Sequence, residues 1–358
     1  MKKKCNIGIL ISLFFFCFCL VAQAEDTVQR EIRIGKKVSE EVEQHWERIS
    51  DPVQIAHLSM ICEKLKPQMT RSLPFEIRII REEAVNAFSL PGGIIYMTTG
   101  ILNFLHSDAE LAAIISHEMI HADRGHVVKQ IARSQRISVI SLALIIASGG
   151  QAAPMILTNM AQIAITNSYS KDLEREADVE GLFALEEAGY PPAAMLTVME
   201  GLAAEQLRHP YVDPGIFMDH PYVEERVDYL TRIIKEKGWP LERKKALRLL
   251  VIRIEPKDAS LVMYVDDAPV WEGPNSSDVA ALFSSVKDKL DRAYQMELPP
   301  YEIEVVEIDQ VRALRVGSTL IVKEPLPAAV DSLASLRQTL VDSLLQAKTT
   351  HPIADYLN

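Results

Sequence analysis

His117 and His121 bracket Glu118 in the run His117-Glu118-Met119-Ile120-His121. On an α-helix, residues four apart share a face, with Cβ atoms about 6 Å apart. Two imidazoles so placed reach a single metal ion. Glu118 stands one step round the helix, close enough to touch a water beside the metal but badly placed to be a third ligand. A catalytic zinc ion takes three protein ligands and keeps one position open, so the third ligand is expected downstream. One known spacing puts Gly three and His six residues after the second imidazole; here those positions are Arg124 and Val127. Gly125 and His126 are out of register, and His126 reads as an ordinary, partly exposed histidine. The better candidate is Glu174, in Leu173-Glu174-Arg175-Glu176-Ala177-Asp178. Asp178 falls four residues on, where its carboxylate can accept the free N–H of a ligand imidazole. Glu176 falls off that face and reads as surface. The expected cofactor is one Zn2+ per chain.

Two helices must carry these groups. Ser107-Asp108-Ala109-Glu110 is a capping box that predicts a helix through about Arg133. A second helix is expected from about Tyr169 to Glu187, stopping at Gly189 before Pro191-Pro192. Upstream, Val28 to Ile49 has helical spacing, and Asp51-Pro52 opens a further helix to about Met69. Phe75–Arg81 alternates as a strand, and Val85–Leu90 and Ile94–Thr98 flank Pro91-Gly92-Gly93 as a hairpin. Ile137–Ala147 and Ala152–Ile165 are apolar, and each is too short to span a bilayer. They read as a buried helical hairpin or, alternatively, as a flap facing a membrane or a partner. His220-Pro221 opens a helix that ends at Gly238-Trp239-Pro240. Beyond about Lys245, Leu247–Ile254, Leu261–Val265, Tyr301–Ile308 and Leu320–Lys323 look like strands, and Ser276–Tyr294 and Val330–Ala347 like helices. No internal repeat is evident. The expected fold class is α+β, with domains over 25–245 and 246–358.

Lys2, Lys3 and Lys4, an apolar run from Ile7 to Ala22, and Ala22-Gln23-Ala24 form the three-part layout of a secretory signal peptide over residues 1–24. That leader holds three lysines, no acid, and Cys5, Cys17 and Cys19, so its removal takes the net charge from -11 to -14 and leaves Cys62 alone. An exported chain with one cysteine has no internal disulfide. The acidic balance excludes a nucleic-acid partner of the usual basic kind.

His117–His121, Leu173–Asp178, Asn86-Ala87-Phe88-Ser89-Leu90-Pro91-Gly92-Gly93, and His220-Pro221 with Arg226 occur in the order found in the CaaX-prenyl-protease-like zinc metallopeptidases. From roughly Ile34 to Leu230 the chain resembles that family, and its soluble periplasmic BepA-like members more than the membrane-embedded HtpX type. The resemblance implies a mainly helical zincin domain with a small edge-strand sheet, followed here by a small α+β domain of unread role. It implies zinc held by His117, His121 and Glu174, with Glu118 as general base. Asn86, Ala87, Phe88 and Ser89 would form the edge strand that pairs with an extended polypeptide substrate. His220 would face the site, either stabilising the oxyanion or occupying the open zinc position and holding the enzyme latent. Taken alone, His220 before Pro221 reads as a cap or surface residue. Arg226 is expected to pair with a nearby acid. The implied function is an exported, periplasmic endopeptidase for misfolded or envelope proteins; the alternative is a chaperone or outer-membrane assembly factor with a normally latent peptidase site. Contact with a membrane or an envelope protein is expected at 137–165. A structural zinc scaffold is disfavoured because such sites are usually closed.

Overall fold

In a computed structural model, the described residues are 28–148, 152–208, 223–294 and 298–350. The expected leader at 1–24 and His220 lie outside them. One compact unit holds the described residues through Tyr190 together with Val223–Arg226; a second holds Pro191–Arg208 and the described residues from Val227 onward.

The first unit begins with α1 (28–45), then β1 (Arg48–Ile49) and α2 (Pro52–Leu65). Asp51 caps α2 by accepting from the amides of Val53 and Gln54, and Pro52 fills the first turn, where an N–H would have no helical partner. Strands β2 (Glu76–Ile80), β3 (Ala87–Leu90) and β4 (Ile94–Thr98) complete a sheet of order β1-β2-β4-β3. β4 runs parallel to β2 and antiparallel to β3, so β3 lies at one end of the sheet. The β3–β4 turn has Pro91 at its first central position and Gly92 at φ +82°, where a side chain would be strained. Gly93 N–H closes the turn on the Leu90 carbonyl at 3.3 Å.

After α3 (Thr99–Phe104) comes the central helix α4 (Asp108–Arg124). Ser107 Oγ accepts from the Glu110 amide at 3.1 Å, and Glu110 reaches back to the His106 amide at 3.0 Å. Residues on every side of α4 are buried, including Ala112, Ile115, His117, Glu118, Met119 and His121. α2, α8 and the sheet pack around it. The helix does not run on to Arg133 as its periodicity suggests. Gly125 adopts the left-handed conformation (φ 64°, ψ 42°), which ends α4, and α5 (His126–Ser134) starts in a new direction.

Helices α6 (Val139–Ser148) and α7 (Ala152–Ile165) follow. They bury Leu142, Ile146, Ile156 and Met160, but Ile140, Leu144 and Met155 are 74%, 63% and 62% exposed. This hairpin is therefore buried on one side only. No helix among the described residues is long and apolar enough to cross a membrane. α8 (Lys171–Glu187) ends before Gly189 at φ +75°.

The second unit includes α9 (Ala193–Arg208) and most of α10 (Val223–Glu236), then α11 (Arg243–Leu247). The strand expected over Leu247–Ile254 starts only at Ile252. Arg248 and Leu250 take positive φ, and the Asp266 carboxylate accepts from the amides of Leu250 and Val251, turning the chain before it extends. Strands β5 (Ile252–Lys257), β6 (Ser260–Val265) and β7 (Ala268–Pro274) form an antiparallel meander capped by α12 (Ser277–Ala293). Strands β8 (Ile303–Ile308), β9 (Val311–Val316) and β10 (Thr319–Lys323) form another, capped by α13 (Leu333–Thr350). The region is thus two copies of one strand–strand–strand–helix unit, a repeat not apparent in the sequence. Both copies share one core: Trp271 stacks on Phe283 at 4.7 Å, and Leu314, Ile321, Leu336 and Leu340 pack with them. Strands β7 and β9 escape a sequence reading because each has charged or turn residues within it. The architecture as a whole is α+β.

Candidate metal centre

Helices α4 and α8 pack side by side, and each contributes an i, i+4 pair. His117 and His121 aim their Nε2 atoms at one point, 3.0 Å apart. From α8, Glu174 Oε1 lies 3.4 Å from His121 Nε2, and Oε2 lies 3.7 Å from His117 Nε2. All three side chains are buried, and together they form the one metal-ligand cluster found among the described residues. The chemistry of these donors fits a cation. His117 Nδ1 stands 3.0 Å from the Asp178 carboxylate. A proton shared there leaves Nε2 as a lone pair facing another imidazole nitrogen and a carboxylate. Such a set repels itself unless positive charge lies among its members. Two imidazoles and one carboxylate are also a known catalytic zinc set.

Asp178 is fully buried and is gripped by Arg226, whose Nε and Nη2 donate to its two oxygens at 2.7 and 2.6 Å. Burial pushes the Asp178 carboxyl up, but the Arg226 guanidinium and His117 outweigh it and hold the group well below the usual carboxylate range. Arg226 Nη1 also lies 3.6 Å from Glu174. For His117, burial opposes protonation, yet Asp178, Glu174 and Glu118 prevail and raise its pKa. Arg226 thus finds its expected acid in Asp178, the buried carboxylate beside His117, rather than on the surface.

Glu118 is 0% exposed, and neither carboxylate oxygen makes a hydrogen bond of ordinary geometry to a described residue. Burial pushes its carboxyl up to about 7; Glu174 adds to this, while His117, the nearby Ser89 hydroxyl and Arg226 pull it down. A buried carboxyl titrating near neutrality beside a metal-ligand cluster is suited to take and return a proton.

Ser89 comes from β3. Phe88 on the same strand turns the other way and stacks on Tyr96 at 5.1 Å, so its side chain serves the core. Asn86 donates from Nδ2 to the Ile165 carbonyl, and Asn167 Nδ2 donates to Asn86 Oδ1 and to the Ala87 carbonyl. The segment after α7 therefore takes up part of the outer edge of β3 at Asn86 and Ala87.

Three residues at the centre escape the sequence reading. His126 is fully buried rather than partly exposed, with Nδ1 3.0 Å from His121 Nδ1. Glu176 is not simply surface, since its Oε2 lies 3.3 Å from His126 Nε2. Tyr169 lays its ring along His121 at a centroid distance of 4.2 Å. No spacing rule points to them: His126 and Tyr169 come from element junctions, and Glu176 lies off the Glu174 face of α8.

A family model of Peptidase family M48 matches residues 52–234. Among similar proteins, the "Mitochondrial metalloendopeptidase OMA1" of Arabidopsis thaliana is 36% identical over 130 residues, covering 36% of this chain and 26% of that protein. The "Putative beta-barrel assembly-enhancing protease" of Vibrio cholerae is 26% identical over 219 residues, covering 58% and 44%. "Metalloprotease LoiP" of Escherichia coli is 29% identical over 160 residues, covering 44% and 62%. The chain thus spans less than two thirds of the length of each of these relatives. The matched segment contains both ligand helices and Arg226, and it covers more than half of the chain: the protein belongs to peptidase family M48.

Proposed function

We propose that the protein is a zinc-dependent endopeptidase of the HExxH-plus-Glu type. The observation that carries this reading is the buried convergence of His117, His121 and Glu174 with Glu118 beside them. Zinc held there supplies a Lewis acid that polarises a peptide carbonyl and makes water a better nucleophile. Glu118 accepts the proton of the attacking water as the oxygen–carbon bond forms. It then delivers that proton to the amide nitrogen as the carbon–nitrogen bond breaks. Asp178 holds His117 with Nε2 free to bind, and Arg226 offsets the negative charge of Asp178 and Glu174.

The substrate class in this reading is an exported polypeptide, misfolded or destined for the envelope, bound in extended form along β3. Two relatives named as a beta-barrel assembly-enhancing protease and a metalloprotease support it. The setting is the periplasm, reached through the leader over residues 1–24. The α6–α7 hairpin is the proposed contact with a membrane or an envelope protein. It exposes Ile140, Leu144 and Met155, and no charged residue occurs between Arg136 and Lys171.

The direct test is metal analysis with a casein assay. The purified chain should hold one zinc per molecule and cleave unfolded casein. A chelator should remove both zinc and cleavage, and added zinc should restore both. Absence of stoichiometric zinc, or cleavage that survives its removal, would end this reading.

A further inference from the structure

His121 needs a partner on the nitrogen that does not face the ligand cluster. Its Nε2 points at His117 and Glu174, so binding a metal there requires the proton on Nδ1. For His117 the same requirement is met directly by the Asp178 carboxylate at 3.0 Å. The atom facing His121 Nδ1, at 3.0 Å, is Nδ1 of His126.

Two facing imidazole nitrogens cannot both donate. With His121 Nδ1–H as the donor, His126 Nδ1 must be the acceptor, and the proton of His126 then sits on Nε2. That atom lies 3.3 Å from Glu176 Oε2, a carboxylate able to receive it. Glu176 Oε1 in turn lies 3.7 Å from the Arg124 guanidinium. The direction of the His121–His126 contact therefore follows from metal binding at Nε2 of His121, and the Glu176 carboxylate lies near the far nitrogen of His126 without a hydrogen bond of ordinary geometry.

The rings are also locked in orientation. His126 meets His121 edge-on, at 4.8 Å and 87°, while Tyr169 covers His121 from another side. The left-handed Gly125 makes this arrangement available. Five residues along an unbroken helix would turn His126 about 140° away from His121; the break at Gly125 swings it back.

We propose that His126 is a positioning residue that sets the tautomer and ring orientation of His121 for metal binding. It is the counterpart, through one imidazole, of what Asp178 does for His117. This rests on the metal reading above, and its test reads metal affinity rather than proteolysis.

The full chain, with His126→Phe and His126→Asn variants, is titrated with zinc against a competing chelator and with cobalt by absorption. Phe fills the space but offers no acceptor. Asn places its Oδ1 close to the position of the imidazole Nδ1. Loss of such support for a ligand imidazole typically weakens metal binding about 10–100-fold. His126→Phe is expected to show a loss in that range and an altered cobalt spectrum. His126→Asn should recover most of the affinity, while the two metal-free variants unfold alike. Should the Phe variant not fold, His126→Leu takes its place. Zinc affinity of His126→Phe or His126→Leu within about twofold of the parent, or an equal loss in His126→Asn, would overturn the proposal. A parent chain that binds no zinc would instead remove the reading on which it stands.

Discussion

Glu118→Gln should lower kcat for casein or a peptide by about 10³-fold while leaving zinc content unchanged. The carboxylate touches no metal ligand position of its own, and Gln has nearly the same shape, so the two imidazoles and Glu174 keep their places. What disappears is the proton acceptor. General-base catalysis contributes roughly 10²–10⁴-fold, and about 10³-fold corresponds to ~4 kcal/mol of transition-state stabilisation. The structure adds an opposite effect on stability. The Glu118 carboxyl is fully buried and its pKa is raised to about 7. In the metal-free chain the folded state therefore binds a proton that the unfolded state releases. Its contribution is fully present below the unfolded value and is lost as pH rises through about 7. A neutral Gln carries no such loss. At pH 8 the metal-free variant should be at least as resistant to urea as the parent, although it is inert as an enzyme. Retained cleavage in a zinc-loaded Glu118→Gln protein would refute the assigned chemistry.

Arg226→Met should destabilise the first unit by about 3–5 kcal/mol, the usual cost of stranding one member of a buried ion pair. Met covers much of the Arg stem but offers nothing to the Asp178 carboxylate, which is 0% exposed. The dependence on pH has a definite sign. In the parent, the depressed Asp178 pKa contributes stability that is present above the unfolded value and lost only as pH falls through the low folded value. In the variant, burial no longer meets its main opponent, so Asp178 protonates more readily and the penalty relaxes on acidification. The gap between the two proteins should be larger at pH 7.5 than at pH 4.5; Arg226 also holds the Glu118 pKa down, so its loss widens the gap in the same direction. Hydrogen exchange at the α4 amides in urea, with chelator present, measures this gap locally. A gap that is unchanged or wider at pH 4.5 would show that the Asp178 charge is not what Arg226 supports. Zinc affinity should fall as well, because Asp178 is the group that orients His117.

Much of the centre is legible in the amino-acid order because it lies on helices of regular period. His117 and His121 on α4, and Glu174 and Asp178 on α8, are i, i+4 pairs. A helix places such residues on one face whatever surrounds it. The caps are legible for a similar reason: Asp51 before Pro52, and Ser107 before Glu110, act within a few residues of chain. The β3–β4 hairpin was also readable from Pro91-Gly92-Gly93, because the turn needs positive φ at Gly92.

The parts that escaped depend on contacts between distant segments, or on a break in period. His126 is out of register for a third ligand, but its spacing gives no sign that it is buried against His121. That contact depends on the left-handed turn at Gly125, which ends the helix expected through Arg133. Glu176 looked like surface because, on α8 alone, it faces away from Glu174; it meets His126 only once α4, α5 and α8 pack together. Arg226 carried a charge whose partner no local rule could name, and only the packing of Arg226 within the first unit chose Asp178. The doubled strand–strand–strand–helix unit was hidden because its copies keep a pattern of burial rather than of residue identity. Local order thus decided which groups could bind a metal and move a proton. Packing decided which buried neighbours hold those groups, since hydrogen-bond direction and ion pairing in a dry interior are set by whatever side chain the fold brings within about 3 Å.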